Sequence, residues 1–318
     1  MATEKRTKSD RLASFTQAQW IALPVRAART RRGMIGLIIA GIVGLIAFIG
    51  PFVSPHSPLT FLAVPFAPAS SSLPLGSDIL GRDVLSRVLN GGWLLLLMAF
   101  GATAFGILLG GSSGMAAAYF RGRADGIIMR TVDVMLAFPA LVFVLLLVSL
   151  VGPKIWLIMV AVGLVHAPAV ARVIRSATLD ISERDYVRAV ELQGVKPWKI
   201  MRQEILPNLV SPLMVEIGLR LTYSIVIMAG LAFLGFGQAP PAPNWGYMIQ
   251  ENRVGLSANP LSVIAPAALI ALFTIGMNTF TDAVARVAIG LERGSSRAAD
   301  SGSTSNLMPV TGAGEVSA

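Results

Sequence analysis

The chain has 318 residues, 54% of them hydrophobic and only 14% charged, with 26 Lys/Arg against 17 Asp/Glu. Soluble globular domains carry about 25% charged residues, so this composition excludes an ordinary soluble domain and points to a chain that crosses a membrane repeatedly. There is no cysteine, which excludes disulfides, thiolate chemistry and cysteine-based metal sites.

Residues 1–32 form a basic segment with eight Lys/Arg against Glu4 and Asp10. The apolar run at 33–53 is longer than a secretory core of about 7–15 residues and reads as an uncleaved first span. A long polar connection, 54–92, follows. The second span is predicted at 93–119. Its glycines, among them Gly106, Gly110 and Gly111, suit close helix packing. The third span is predicted at 134–152, with Arg130 and Asp133 as an ion pair at its mouth and a kink at Phe138-Pro139. The fourth is short, 155–171, and holds His166 and Pro168. The fifth is predicted at 212–236, where Glu216 and Arg220 stand i, i+4. Ions inside a membrane are costly and are paired or face a polar cavity, so these two either form a structural pair or line a path with Phe138 and Pro139. The sixth span is predicted at 262–281. The tail, 294–318, is Ser/Gly/Ala-rich and reads as disordered.

The charges flank the spans. With the N-terminus inside, segments 1–32, 120–133, 172–211 and 282–318 hold 21 Lys/Arg, and the opposite segments 54–92, 153–154 and 237–261 hold four. This asymmetry predicts N-in, C-in topology. It also reads the net charge of +9 as a topology signal, with membrane lipid as the surrounding partner and no nucleic acid.

Segment 172–211 is the longest inside connection. Ser182-Glu183-Arg184-Asp185 fits a capping box, with Ile181 placed to staple onto Tyr186. A helix over about 183–193 would carry Tyr186, Val187, Ala189 and Val190 as an apolar stripe, with Arg184, Arg188 and Glu191 on other faces. Gly194 suits a left-handed C-terminal cap, and Pro197 suits the first position of a second helix. That helix would present Trp198, Met201 and Ile205 on one side, and Pro207 would break or kink it before span five. The segment is either an amphipathic connector on the lipid surface or a two-helix bracket on which a partner docks.

The order Tyr186-Val187-Arg188-Ala189-Val190, then Gly194, then Ile205-Leu206-Pro207, resembles the EAA loop of ABC-transporter permeases. Five further blocks resemble the dipeptide/oligopeptide/nickel group, C-type subunit, in the same order: PLGSDILGRDVLSRVLNG (74–91), VDVMLAFPALV (132–142), GPKIW (152–156), FLGFG (233–237) and PPAPNWGYMI (240–249). The resemblance covers about residues 30–293 and implies an all-α fold of six transmembrane helices of the type I ABC importer kind. It implies a permease domain at 33–293 that pairs with a homologous second permease, two cytoplasmic ATPase domains and an extracytoplasmic substrate-binding protein. The cargo would be di- or oligopeptides, or a nickel chelate or another peptide-like solute. The ATPase-docking loop would comprise Asp185, Tyr186, Val187, Arg188, Ala189, Val190, Glu191, Gly194, Trp198, Leu206 and Pro207. Arg188 stands where the family has glutamate, and Val190 where it has alanine. Gly81, Arg82, Asp83, Arg87, Asn244 and Trp245 would either face the binding protein or brace the bundle, with Asp83 and Arg87 as an i, i+4 pair.

No P-loop pattern, HExxH or paired carboxylate occurs in the chain. His56 and His166 are far apart in sequence, and His166 beside Pro168 reads as a packed polar residue. The chain is therefore expected to hold no cofactor or metal and to make or break no bond, with ATP and Mg on the partner subunits. A membrane-embedded enzyme would need a nucleophile–base pair or a metal cluster. A stand-alone secondary transporter would work on an ion gradient without ATPases.

Overall fold

The computed structural model describes residues 22–236 and 241–304, and the described residues are helical with two isolated antiparallel bridges, Phe61 to Arg82 and Ser77 to Asp83. A short helical segment over residues 22–28 leads to α1 (Arg31–Val53). Thr30 caps α1 by accepting from the Gly33 amide at 3.0 Å. Then come α2 (Val84–Asn90), α3 (Trp93–Phe120), α4 (Gly122–Leu136), α5 (Ala140–Val151), α6 (Ile155–Ser182), α7 (Asp185–Leu192) and α8 (Pro197–Ile200). A π-turn (Met201–Ile205) and a 3-10 turn (Leu206–Leu209) join α8 to α9 (Val210–Phe233); α10 (Trp245–Asn252) and α11 (Leu261–Thr304) complete the order. Among the described residues, five helical stretches are long and apolar enough to cross a membrane, and α4 with α5 make a sixth if the bent pair is one span.

Small residues set the packing. On α3, Gly106, Gly110 and Gly114 face Gly163, Ala167 and Ala171 of α6 so closely that a Cβ at any of the three would strike main-chain atoms. This is the small-xxx-small seam that lets helix backbones approach in lipid. Gly111, one residue off the seam, has only Leu213 nearby. In the same way α1 buries Gly36 and Ala40 against Gly276 of α11. It turns Met34, Ile35, Ile38 and Ile42 outward, where lipid replaces water as the solvent.

Several expected boundaries shift. The third span is two helices, α4 and α5, bent by 85° at Ala137–Pro139. Proline removes an amide donor and disfavours helix in the residue before it, and Pro139 itself is extended, so the break falls there. The fourth span continues unbroken through Pro168 to Ser182. Residues 172–182 are thus part of a long helix and not of a loop. Helix α11 is described to Thr304, across the start of the tail expected to be disordered, and residues 305–318 lie outside the described residues.

Candidate functional site

At one end of the bundle, α6 and α9 are joined by a bracket. Its first helix, α7, starts at Asp185, and Arg184 is its N-cap with no side-chain cap bond. The capping box at Ser182 does not form, because Ser182 is still in α6 and buried, with its hydroxyl lacking a hydrogen-bond partner. Gly194 has φ +73° and open space around it. It takes the left-handed turn for which glycine has no steric cost. Pro197 opens α8 as the sequence predicts. Pro207 does not break the chain from α9. The lost amide is absorbed by the π-turn and the 3-10 turn, which keep the run from Pro197 to Phe233 helical.

The predicted apolar stripe divides in two. Val187, Ile200, Met201, Ile205 and Leu209 are buried together with Ile174, Ile181 and Met115, and Val190 and Leu206 pack on them. This is the bracket's own core, which fixes it to the ends of α3 and α6. Trp198 is not on that side; it is 66% exposed, and Tyr186 and Leu192 are also exposed. Asp185, Arg188, Ala189 and Glu191 are exposed as well. Arg188 is in no ion pair among the described residues. The Tyr186 hydroxyl accepts from Asn208 Nδ2 at 3.2 Å, tying the two arms together. Burial raises the pKa of that hydroxyl, which keeps the ring neutral.

Two ion pairs join α4 to the far part of α6, and a third joins the residues that flank them. Asp125 meets Arg175 through two bonds of 2.5 and 2.6 Å, Asp133 meets Arg172 at 2.6 Å, and Arg121 meets Glu183 at 3.3 Å. Asp133 therefore pairs across to α6 and not with Arg130. The sequence hides this because the charges from Arg172 onward disguise the continuation of α6 as loop.

Beneath the break between α4 and α5 lies a cavity of about 380 Å³. Phe138, Phe143, His166, Arg220 and Tyr223 are among its walls. Glu216 and Arg220 form the expected pair at 3.0 Å, with Glu216 buried behind the wall. The Arg220 guanidinium lies 5.5 Å from the Tyr223 ring centroid. His166 Nε2 is 2.9 Å from Ser224 Oγ, which is 3.2 Å from Thr103 Oγ1, so His166 is a satisfied buried polar residue as expected. Phe138 and Arg220 thus meet at one cavity, with Pro139 setting the bend that opens it.

At the opposite end, connection 54–92 folds onto α10 through a buried clamp. Arg82 donates from Nε to Asp78 at 2.6 Å and from Nη2 to Glu251 at 2.5 Å. Arg87 donates from Nη2 to the other Glu251 oxygen at 2.9 Å. Its Nε lies 3.2 Å from Asp78, near enough for an ion pair but not aligned for a hydrogen bond. Asp83 does not pair with Arg87. It caps α2, accepting from the Leu85 and Ser86 amides and the Ser86 hydroxyl, and it meets His56 Nδ1 at 3.1 Å. Gly81 has φ +77° and packs against the Ala63 carbonyl. Asn244 caps α10, and Trp245 is fully buried with its indole N–H on the Val88 carbonyl at 2.8 Å. Sequence reasoning found Arg82 and Arg87 but missed Asp78 and Glu251. Asp78 was visible as an i, i+4 partner of Arg82, whereas Glu251 is 164 residues from Arg87 and left no local signal. Among the described residues no group of His, Asp and Glu could hold a metal.

This geometry has clear relatives. The chain is 36% identical to the glutathione transport system permease protein GsiD of Pectobacterium atrosepticum, over 67% of this chain and 71% of that one. It is 33% identical to the dipeptide transport system permease protein DppC of Haemophilus influenzae, over 80% and 88%. It is 32% identical to the di/tripeptide transport system permease protein DppC of Pseudomonas aeruginosa, over 80% and 86%. Among solved structures, an inward-facing MetNI methionine ABC transporter matches in fold with a TM-score of 0.50 and 19% identity, covering 62% of this chain and 96% of that one. Residues 102–288, which run from the glycine seam through the bracket and the clamp residue Glu251 into α11, match the model of the binding-protein-dependent transport system inner membrane component, and the chain is a multi-pass inner-membrane member of that family.

Proposed function

We propose that this chain is one permease subunit of an ATP-driven, binding-protein-dependent importer of di- and oligopeptides. The observation that carries this reading is the bracket. Its buried stripe anchors it to two spans, and Tyr186, Arg188, Leu192 and Trp198 are left outward, exposed among the described residues. A homologous second permease would complete the path. ATPase domains, with their ATP and Mg, would sit on the bracket, and a binding protein would meet the clamp end. The Lys/Arg asymmetry puts the bracket and both termini in the cytoplasm. ATP-driven closure of the ATPase pair moves the bracket, and α6 carries that motion through its ion pairs to α4 and the break at Phe138. Such a switch requires contacts with the bracket that differ between the two ATPase states.

Peptide cargo is supported by the relatives named above, whose substrates are glutathione, dipeptides and tripeptides. The test is uptake and co-purification with the ATPases in Tyr186→Asp and in a Gly194 variant carrying a bulky side chain. Both should assemble poorly and import poorly. Normal assembly and uptake in both would end the docking reading. Transport by the lone chain on an ion gradient would establish a secondary transporter instead.

A further inference from the structure

We propose that the cavity under the α4–α5 break is a transit subsite for a carboxylate, with Arg220 as its specificity-determining residue. The inference rests on the peptide-importer reading and adds to it which end of the cargo the pore recognises. The cavity, at about 380 Å³, falls in the range of small-molecule pockets. Arg220 lies ten residues into α9, inside a helical run long and apolar enough to cross a membrane. A cation within such a span is a functional site by default.

The hydrogen bonding of Arg220 leaves a fork open. Nε is committed to Glu216 Oε2 at 3.0 Å. The Nη atoms, on the outer edge of the guanidinium, make no hydrogen bond among the described residues. That edge holds parallel donors matched to the two oxygens of a carboxylate. Phe138, Phe143 and Tyr223 supply apolar walls beside it. His166, also in the wall, is already tied to Ser224, so Arg220 is the wall's one free charged donor among the described residues.

Glu216 tunes the affinity. An unopposed arginine in a low-dielectric site would hold an anion too long for transport. A pore site must bind well enough to admit its cargo and weakly enough to release it. Glu216 orients Arg220 through their hydrogen bond and cancels part of its field. The result is a neutral pair with a positive face toward the cavity.

The test uses the complete transporter in proteoliposomes with dialanine and dialanine amide as cargo. Arg220→Gln should lower the ratio of dialanine to amide uptake, relative to wild type, by roughly tenfold or more, the cost of a lost charge-assisted bond. The same binding protein serves both transporters, so its own preference cancels in that ratio. An equal fall for both cargoes would overturn the proposal and leave Arg220 as a helix-pairing residue. An unchanged ratio would overturn it too. Equilibrium dialysis of labelled dialanine against the permease–ATPase complex without binding protein decides the point independently of transport. Wild type should retain the label and Arg220→Gln should not, and equal retention would overturn the subsite. If wild type imports neither cargo, the peptide-importer reading falls, while the dialysis still decides the subsite.

Discussion

The two ends of this molecule use charge in opposite ways. At the clamp end, Asp78, Arg82, Arg87 and Glu251 turn inward and pair with one another, and the side chains of the first three are at most 3% exposed. At the bracket end, the apolar residues turn inward and the charges of α7 stay outside. A buried ion network holds a fixed shape, because losing any member strands the others. An exposed charged face over an apolar anchor is rigid in shape yet open to a partner. One end is therefore built as a lid that stays put, and the other as a handle that can be pushed.

The largest effect should come from breaking the clamp. Glu251→Gln leaves two buried guanidiniums facing one carboxylate. The expected loss is about 3–5 kcal/mol, read as a lower unfolding midpoint of the purified transporter and less chain in the membrane. Adding Arg87→Gln removes one stranded cation and should recover part of that loss. No recovery would mean that the clamp works by shape and not by charge balance.

The bracket sharpens the contrast through a paired substitution. Ile205 is fully buried and Leu192 is 91% exposed. Ile205→Ala should cost about 2–5 kcal/mol through the cavity it leaves. Leu192→Ala should leave the unfolding midpoint unchanged and weaken only ATPase co-purification. If both variants lower the midpoint equally, the surface around Leu192 is covered by the chain itself and is not free for docking.

Much of this contrast was legible in the sequence. Gly194, Pro197 and the apolar periodicity of 186–205 define two short helices because caps and period act locally. The sequence did not show that Val187, Met201 and Ile205 belong inside while Trp198 stays out. That choice depends on where α3 and α6 end, which is a tertiary matter. The Asp83–Arg87 pairing failed for the same reason. Helix α2 begins at Val84, so Asp83 became its cap and Arg87 was free to reach Glu251. The cavity was only half legible. Glu216 and Arg220 signalled themselves as ions in an apolar run, but the meeting of Arg220 with Phe138 at one cavity needed the 85° bend.

The seam between the two ends offers a smaller effect with its own control. Gly110→Val puts a side chain against the Ala167 main chain, whereas Gly111→Val meets only Leu213. Overpacking costs about 1–3 kcal/mol, so the first variant should unfold at lower temperature and the second should behave like wild type. Equal behaviour would show that α3 and α6 can separate without loss, and the rigid connection between bracket and clamp would go with it.

The smallest effect isolates the joint of the handle. Gly194 is exposed, with no atom near the position a Cβ would take. Substitution there therefore acts through the backbone alone. Its φ of +73° is a left-handed conformation that costs an ordinary L-residue about 1–2 kcal/mol, and asparagine less. Gly194→Ala should lower ATPase affinity roughly fivefold to thirtyfold if that strain is relieved by changing the angle between α7 and α8. Gly194→Asn should fall between alanine and wild type. That ranking separates a conformational joint from a contact site, because a contact site would be disturbed more by the larger asparagine than by alanine. A bracket held at its angle by the buried contacts of Val187 and Ile205 would instead absorb the strain as lost stability. The midpoint would then drop while affinity stayed constant, and the push from the ATPases would have to pass through the anchor and not through the turn.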